Sequence, residues 1–157
     1  MIALWCISSL TAHAQLDYKM AGPYKVVARD GEFRASKGGS ERDMKTAFTL
    51  ANIYNNAKSN KNVTSAEERE KAKSKALDII NAYSATLERL DGHDAPLCAI
   101  QCFDIVRAMT ILRDFKTPRW DAMVRNAMLP TIDKFEADSP YANGNWGAIV
   151  NRLRMAI

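Results

Sequence analysis

The sequence predicts an all-α fold built from helix pairs. Apolar residues recur at spacings of three and four over several stretches, the signature of one buried helix face. Capping and breaking residues punctuate those stretches at short intervals. No convincing strand alternation competes with them; the best strand candidate, residues 24–28, is weak. Helix pairs with short connections make a bundle, a solenoid or a toroid. No fixed-period repeat is present, which argues against tetratricopeptide or ankyrin arrays.

Residues 15–40 read as irregular, because Gly22, Pro23, Gly31, Gly38 and Gly39 interrupt any periodic pattern. Ser40 then reads as an N-cap, and Asp43 three residues on comes close to a capping box. Met44, Ala47, Phe48, Ala51 and Tyr54 form the apolar face of the first helix, and residues 55–62 form a polar loop. Ser65 caps the second helix, with Glu67 and Glu68 set against the positive end of its dipole. Its buried stripe is Ala72, Ala76, Ile79, Ile80, Tyr83 and Leu87, and Gly92 is the expected C-cap. A third helix is expected over 96–114. Ile100, Phe103, Val106, Met109, Ile111 and Leu112 make it apolar around more than half its circumference, so it is an inner helix. Thr117 and Pro118 begin a fourth, the proline standing where its missing N–H costs nothing. Trp120, Met123, Val124, Ala127 and Met128 carry its face, and Pro130 should kink it. Asp138-Ser139-Pro140 ends that unit, and a fifth helix runs over 146–157.

A length of 157 residues suits one domain. A net charge of +4, with both signs mixed along the chain, suits an anionic partner without forming the basic stripe of a nucleic-acid binder. No apolar run approaches a membrane span. Residues 1–14 read in two ways. Ala12-His13-Ala14 is a cleavage-like site after an apolar stretch, as in a signal peptide; the stretch lacks the usual preceding Lys or Arg, and is equally a truncated first helix. Three cysteines make no disulfide framework. Cys98 and Cys102, four apart on a helix, read as small buried residues, as Met109, Met123 and Met128 read as core. His93 and His13 are the only histidines, too few for a metal site with those thiols, so no metal or other cofactor is expected.

Three motifs stand in order along the chain: GSERDMKTAFTLANIY, KAKSKALDIINAYSATLERLDGHDAPLCA and SPYANGNWGAIVNRLRMAI. Together they resemble the alginate-lyase-like polysaccharide lyases, with glucuronan-type enzymes the nearest in kind. The second resembles that family's helix running into a G-x-D-A-P-L turn, the third its N-x-N-W motif. The resemblance covers roughly 17–157 and implies an incomplete (α/α) toroid, with 15–157 as its N-terminal part. It further implies a periplasmic or secreted enzyme that cleaves an acidic glycan such as alginate or glucuronan. A catalytic tyrosine and a further histidine would then lie beyond Ile157.

Such a lyase removes the proton at C5 of a uronate and expels the C4 oxygen by β-elimination. The carboxylate must be hydrogen-bonded so that the developing charge is held, and a base and an acid must flank it. Asn145 is the candidate for the carboxylate, since an amide donates N–H groups at a helix start that itself favours anions; the alternative is an N-cap. His93 would act as a base oriented by Asp94, or bind the substrate, with Asp94 itself a substrate-binding candidate; the alternative is a loop histidine bonded to nearby carbonyls. Trp146 would stack on a sugar face or lie in the core, and Asn143 would bind sugar or simply shape the turn. Arg152 and Arg154 would pair with substrate carboxylates or form salt bridges. Two readings stand beside the lyase: a non-catalytic helical glycan-binding or interaction module, and a helical scaffold unrelated to sugars.

Overall fold

The computed structural model describes residues 16–20, 31–55, 65–87 and 94–157, with side chains placed over 16–20, 41–55, 65–87, Ala99 and 101–157. Among these residues all regular structure is helical. Residues 1–14, the strand candidate over 24–28 and His93 lie outside the described residues, and so does Gly92.

Helix α1 runs Gly31–Asn55, beginning nine residues before the expected cap at Ser40. Glu32, Arg34, Ala35 and Lys37 are good helix formers, and the two glycines cost only about 1 kcal/mol each. That is less than the following apolar face returns on burial. Met44, Ala47, Leu50 and Ala51 are buried, and Phe48 and Tyr54 are half-buried. Helix α2 runs Ala66–Thr86. Its cap is a full reciprocal box: Ser65 Oγ accepts from Glu68 N–H at 3.2 Å, and Glu68 Oε2 accepts from Ser65 N–H at 2.7 Å. Ala72, Ala76, Ile79, Ile80 and Tyr83 form its buried stripe as expected. The helix stops well before Gly92, because Leu87 is already extended at φ −69°, ψ 126°.

Helix α3 is Asp94–Ile111, followed by a 3-10 turn Arg113–Phe115. It buries Ala99, Cys102, Ile105, Val106, Ala108 and the adjoining Leu112. It touches α1, α2 and the two helices at the C-terminal end, which makes it the central element. Helix α4, Pro118–Met123, has Thr117 in the cap position with its hydroxyl buried and unbonded, so position rather than a side-chain bond starts it. Val124–Met128 form one π-helical turn leading into α5, Leu129–Asp138. Leu129 N–H bonds back to the Val124 carbonyl. The expected effect of Pro130 takes this form. Proline cannot donate to residue 126 and crowds its carbonyl, and widening the turn before it relieves both. Helix α6 is Asn145–Ala156.

Paired contacts set the directions. Asp43 meets Tyr83, and Tyr54 meets Lys73, so α1 and α2 are antiparallel. Phe48 meets Arg107, and Tyr54 meets Phe115, so α1 and α3 are parallel. Arg152 sits on Phe103, and Met155 and Ala156 share a groove with Thr110 and Ile111, so α6 is parallel to both. The neighbours run α1, α3, α6, with α2 packed on α1 and α4, and α5 packed on α3 and α6. Within the core, the fully buried Asp43 accepts hydrogen bonds from Tyr18 at 2.6 Å and Tyr83 at 2.7 Å, and buried Trp120 donates to Asn81 at 2.9 Å.

Candidate functional site

The loop before α6 is a compact turn laid against the helix it leads into. Ala142 N–H donates to the Ser139 carbonyl, Gly144 N–H to the Tyr141 carbonyl, and Tyr141 N–H to Ser139 Oγ. A Cβ on Gly147 would fall 1.6 Å from the Ala142 carbonyl oxygen, so only glycine lets loop and helix approach this closely. Gly144 holds the cap position, extended at φ −104°, ψ −163°, and its carbonyl takes the Ala148 N–H.

This arrangement gives the cap position of α6 to Gly144 and not to Asn145. It is the first residue within the helix rather than its cap, and its exposed side chain makes no hydrogen bond among the described residues. No side chain caps α6, so the N–H groups of its first turn have no side-chain cap acceptor. Trp146 is 41% exposed and Tyr141 54% exposed, so Trp146 is not a core tryptophan; Trp120 is. Asn143 is an exposed turn residue between them.

Because α3 and α6 are parallel and Arg152 lies on Phe103, equal steps back along both helices put Asn145 level with Pro96. Asp94, the first residue of α3, therefore belongs to the same end of the molecule as Asn143, Asn145 and Trp146. The structure thus gathers four of the seven sequence-derived candidates at one end; His93 lies outside the described residues, and Arg152 and Arg154 lie further along α6.

Arg152 stands apart, two turns along α6 from Asn145, about 10 Å by helical rise. It borders a groove of about 600 Å³ formed by α1, α3 and α6. There the Arg107 guanidinium carbon lies 3.6 Å from the Phe48 ring centre and 5.4 Å from that of Phe103, and Arg152 covers Phe103 at 3.7 Å. Among the described residues Arg107 reaches only Asp104, one turn back on its own helix, at 3.5 Å. Arg152 has no acidic partner among the described residues. Arg154 does: it meets Asp133 at 2.6 Å and Glu136 at 2.7 Å, and the Glu136 bond, then the Asp133 bond, raise its pKa. The salt-bridge alternative therefore describes Arg154 and not Arg152. Arg107 and Phe48 were not among the sequence candidates. The Phe103–Arg107 spacing of four was visible in the chain, but the meeting with Phe48 and Arg152 across three helices was not.

Among the described residues no group of His, Cys, Asp and Glu is arranged to hold a metal ion, and no helix is long and apolar enough to cross a membrane. Comparison with protein-family models, with curated proteins and with solved structures finds no match for this chain.

Proposed function

We propose that this chain is part of a polyuronate lyase of the alginate-lyase-like, (α/α)-toroid kind, and that it binds the uronate at the end of the molecule where α3 and α6 begin. The observation that carries this reading is the exposed, unbonded amide of Asn145 at a helix start without a side-chain cap, next to the exposed Trp146. An amide and the backbone N–H groups of a helix start favour a carboxylate, and an exposed tryptophan favours a sugar ring. The helix order is compatible with it: α1, α3 and α6 are parallel neighbours, with the antiparallel α2 between α1 and α3 in the chain and α4–α5 between α3 and α6.

In this reading a base takes the C5 proton, the released electron pair forms the C4–C5 double bond, and the C4–O bond breaks as its oxygen is protonated. Asn145 donates to the carboxylate as charge builds on it. Asp94, the first residue of α3, belongs to the same end; the base in this reading is His93, which precedes it in the chain and lies outside the described residues. The enzyme of this reading is periplasmic or secreted and uses no cofactor. Arg152 belongs to the groove rather than to this end.

The test, made on the full-length protein because the resemblance puts further catalytic residues beyond Ile157, is calorimetric titration with glucuronan and mannuronan oligosaccharides beside neutral glucan oligosaccharides, followed by ultraviolet absorbance for unsaturated uronate ends. Uronate binding that Asn145→Ala and Trp146→Ala each weaken about tenfold or more supports the site. Loss of about 10²–10³ in product rate in Asn145→Ala supports catalysis by it. Binding without product formation favours the second reading, a non-catalytic glycan-binding module, which is consistent with the absence of a described base–acid pair beside Asn145. Equal affinity for neutral and charged oligosaccharides rejects the uronate site, and no binding of either rejects both readings.

A further inference from the structure

The groove between α1, α3 and α6 differs in chemistry from the end that carries Asn145. Its aromatic rings are not open platforms. Arg107 covers Phe48 at 3.6 Å and Arg152 covers Phe103 at 3.7 Å, so those faces are already stacked by guanidinium planes and unavailable to a sugar ring. A stacked guanidinium keeps its N–H edge free, and that edge matches a carboxylate bidentately. The other polar groups of the groove are engaged. Thr110 Oγ1 donates to the Val106 carbonyl at 3.0 Å, and Asn52 Nδ2 donates to the Phe48 carbonyl at 3.0 Å. The remaining wall is apolar, from half-buried Ile111 to Met155, which is 81% exposed at the rim. The volume of about 600 Å³ lies in the range of small-ligand sites.

The geometry points to a binding site for a carboxylate with an apolar body, a fatty or aryl carboxylic acid, its head group held by Arg107 and Arg152 and its body lying along Ile111 and Met155. Charge complementarity selects the head group: the two guanidiniums have a single weak acidic neighbour, Asp104, between them among the described residues. The apolar wall selects the body, because burying hydrocarbon there is favourable where burying hydroxyls without partners is costly. The site is separate from the proposed glycan end and does not depend on that assignment.

The experiment is titration of the full chain with dodecanoate, kept below its micelle concentration, read by calorimetry and by the methyl NMR signals of Met155 and Ile111. The expected result is saturable one-to-one binding that moves both methyl signals. Arg107→Gln and Arg152→Gln should each weaken it about tenfold. Dodecanol and dodecyltrimethylammonium should bind at least about tenfold more weakly than dodecanoate. Met155→Glu, a change at an exposed position that leaves the fold intact by circular dichroism, should block binding by setting a carboxylate at the rim. Three results would overturn the assignment. Equal binding of the cationic or neutral amphiphile would make the groove a plain apolar surface. Movement of the same methyl signals by a uronate oligosaccharide would make it part of a glycan site. Tighter binding of an acidic amphipathic peptide, displacing dodecanoate, would make it a protein-docking groove.

Discussion

Gly147 is the residue on which the geometry of the candidate site turns. The Ala142 carbonyl occupies the space a side chain would need, and it is backbone, which cannot rotate away. Gly147→Ala should therefore cost at least about 1–3 kcal/mol in urea denaturation, because the loop must lift off the helix. Gly144→Ala serves as the control. Its Cβ would stand 3.5 Å from the Tyr141 carbonyl oxygen, an ordinary contact, and its stability should change little. A second residue-scale expectation concerns Tyr18. Burial, and then its hydrogen bond to Asp43, raise the phenol's pKa above the usual value near 10. The neutral phenol is thus favoured in the fold. That contribution is fully present below pH ~10 and is lost as pH rises from there toward the folded-state value. Alkaline denaturation should show a steeper fall in stability above pH ~10 for the native chain than for Tyr18→Phe.

Among the elements, α2 owes its start to a closed local circuit. Ser65 and Glu68 satisfy each other's backbone N–H groups within four residues of sequence. Ser65→Ala should lower stability by about 1 kcal/mol, and a double-mutant cycle with Glu68→Ala should show that the two costs are coupled. The unit formed by α4 and α5 shows another kind of local control. Its π turn sits where a proline two residues on would otherwise press on the preceding carbonyl, so one residue type changes helix geometry without ending the helix. Helix α6 divides its roles along its length. Its first turn presents Asn145 and Trp146, its buried side seats Val150 and Leu153, and its last turns send Arg154 to α5 and Arg152 to the groove.

At the scale of the whole molecule, α3 is the element through which the others meet. Ile105 is fully buried on it within a single core cluster that includes residues of every described helix. Ile105→Ala should cost about 2–5 kcal/mol, with one cooperative unfolding transition and an unchanged denaturant slope. Global unfolding by that slope would show that the helices share one core; a second transition would show that they do not. The parallel run of α1, α3 and α6 also sets where function can reside. It brings the starts of α3 and α6 to one end, where Asn145 and Trp146 are open, and puts the stacked arginines partway along, between three helices.

The periodicity and caps of the chain determined that the described protein is helical, that Ser65 starts one helix and Thr117-Pro118 another, and that Ala72 through Tyr83 face inward. These follow from interactions within four residues of sequence, which the sequence contains in full. Asn145 at a helix start was legible for the same reason. Local signals misplaced two boundaries, at Ser40 and Gly92. The cost of a glycine or the appeal of a cap is about a kilocalorie, and tertiary burial outweighs it. Only the tertiary structure decided that Asp43 lies under two tyrosines, that Gly144 and not Asn145 caps α6, that Arg154 is paired and Arg152 is not, and that Arg107 stacks between phenylalanines. Each depends on which residues from distant segments come within a few ångströms of one another. The packing of parallel helices sets that, and no local pattern encodes it.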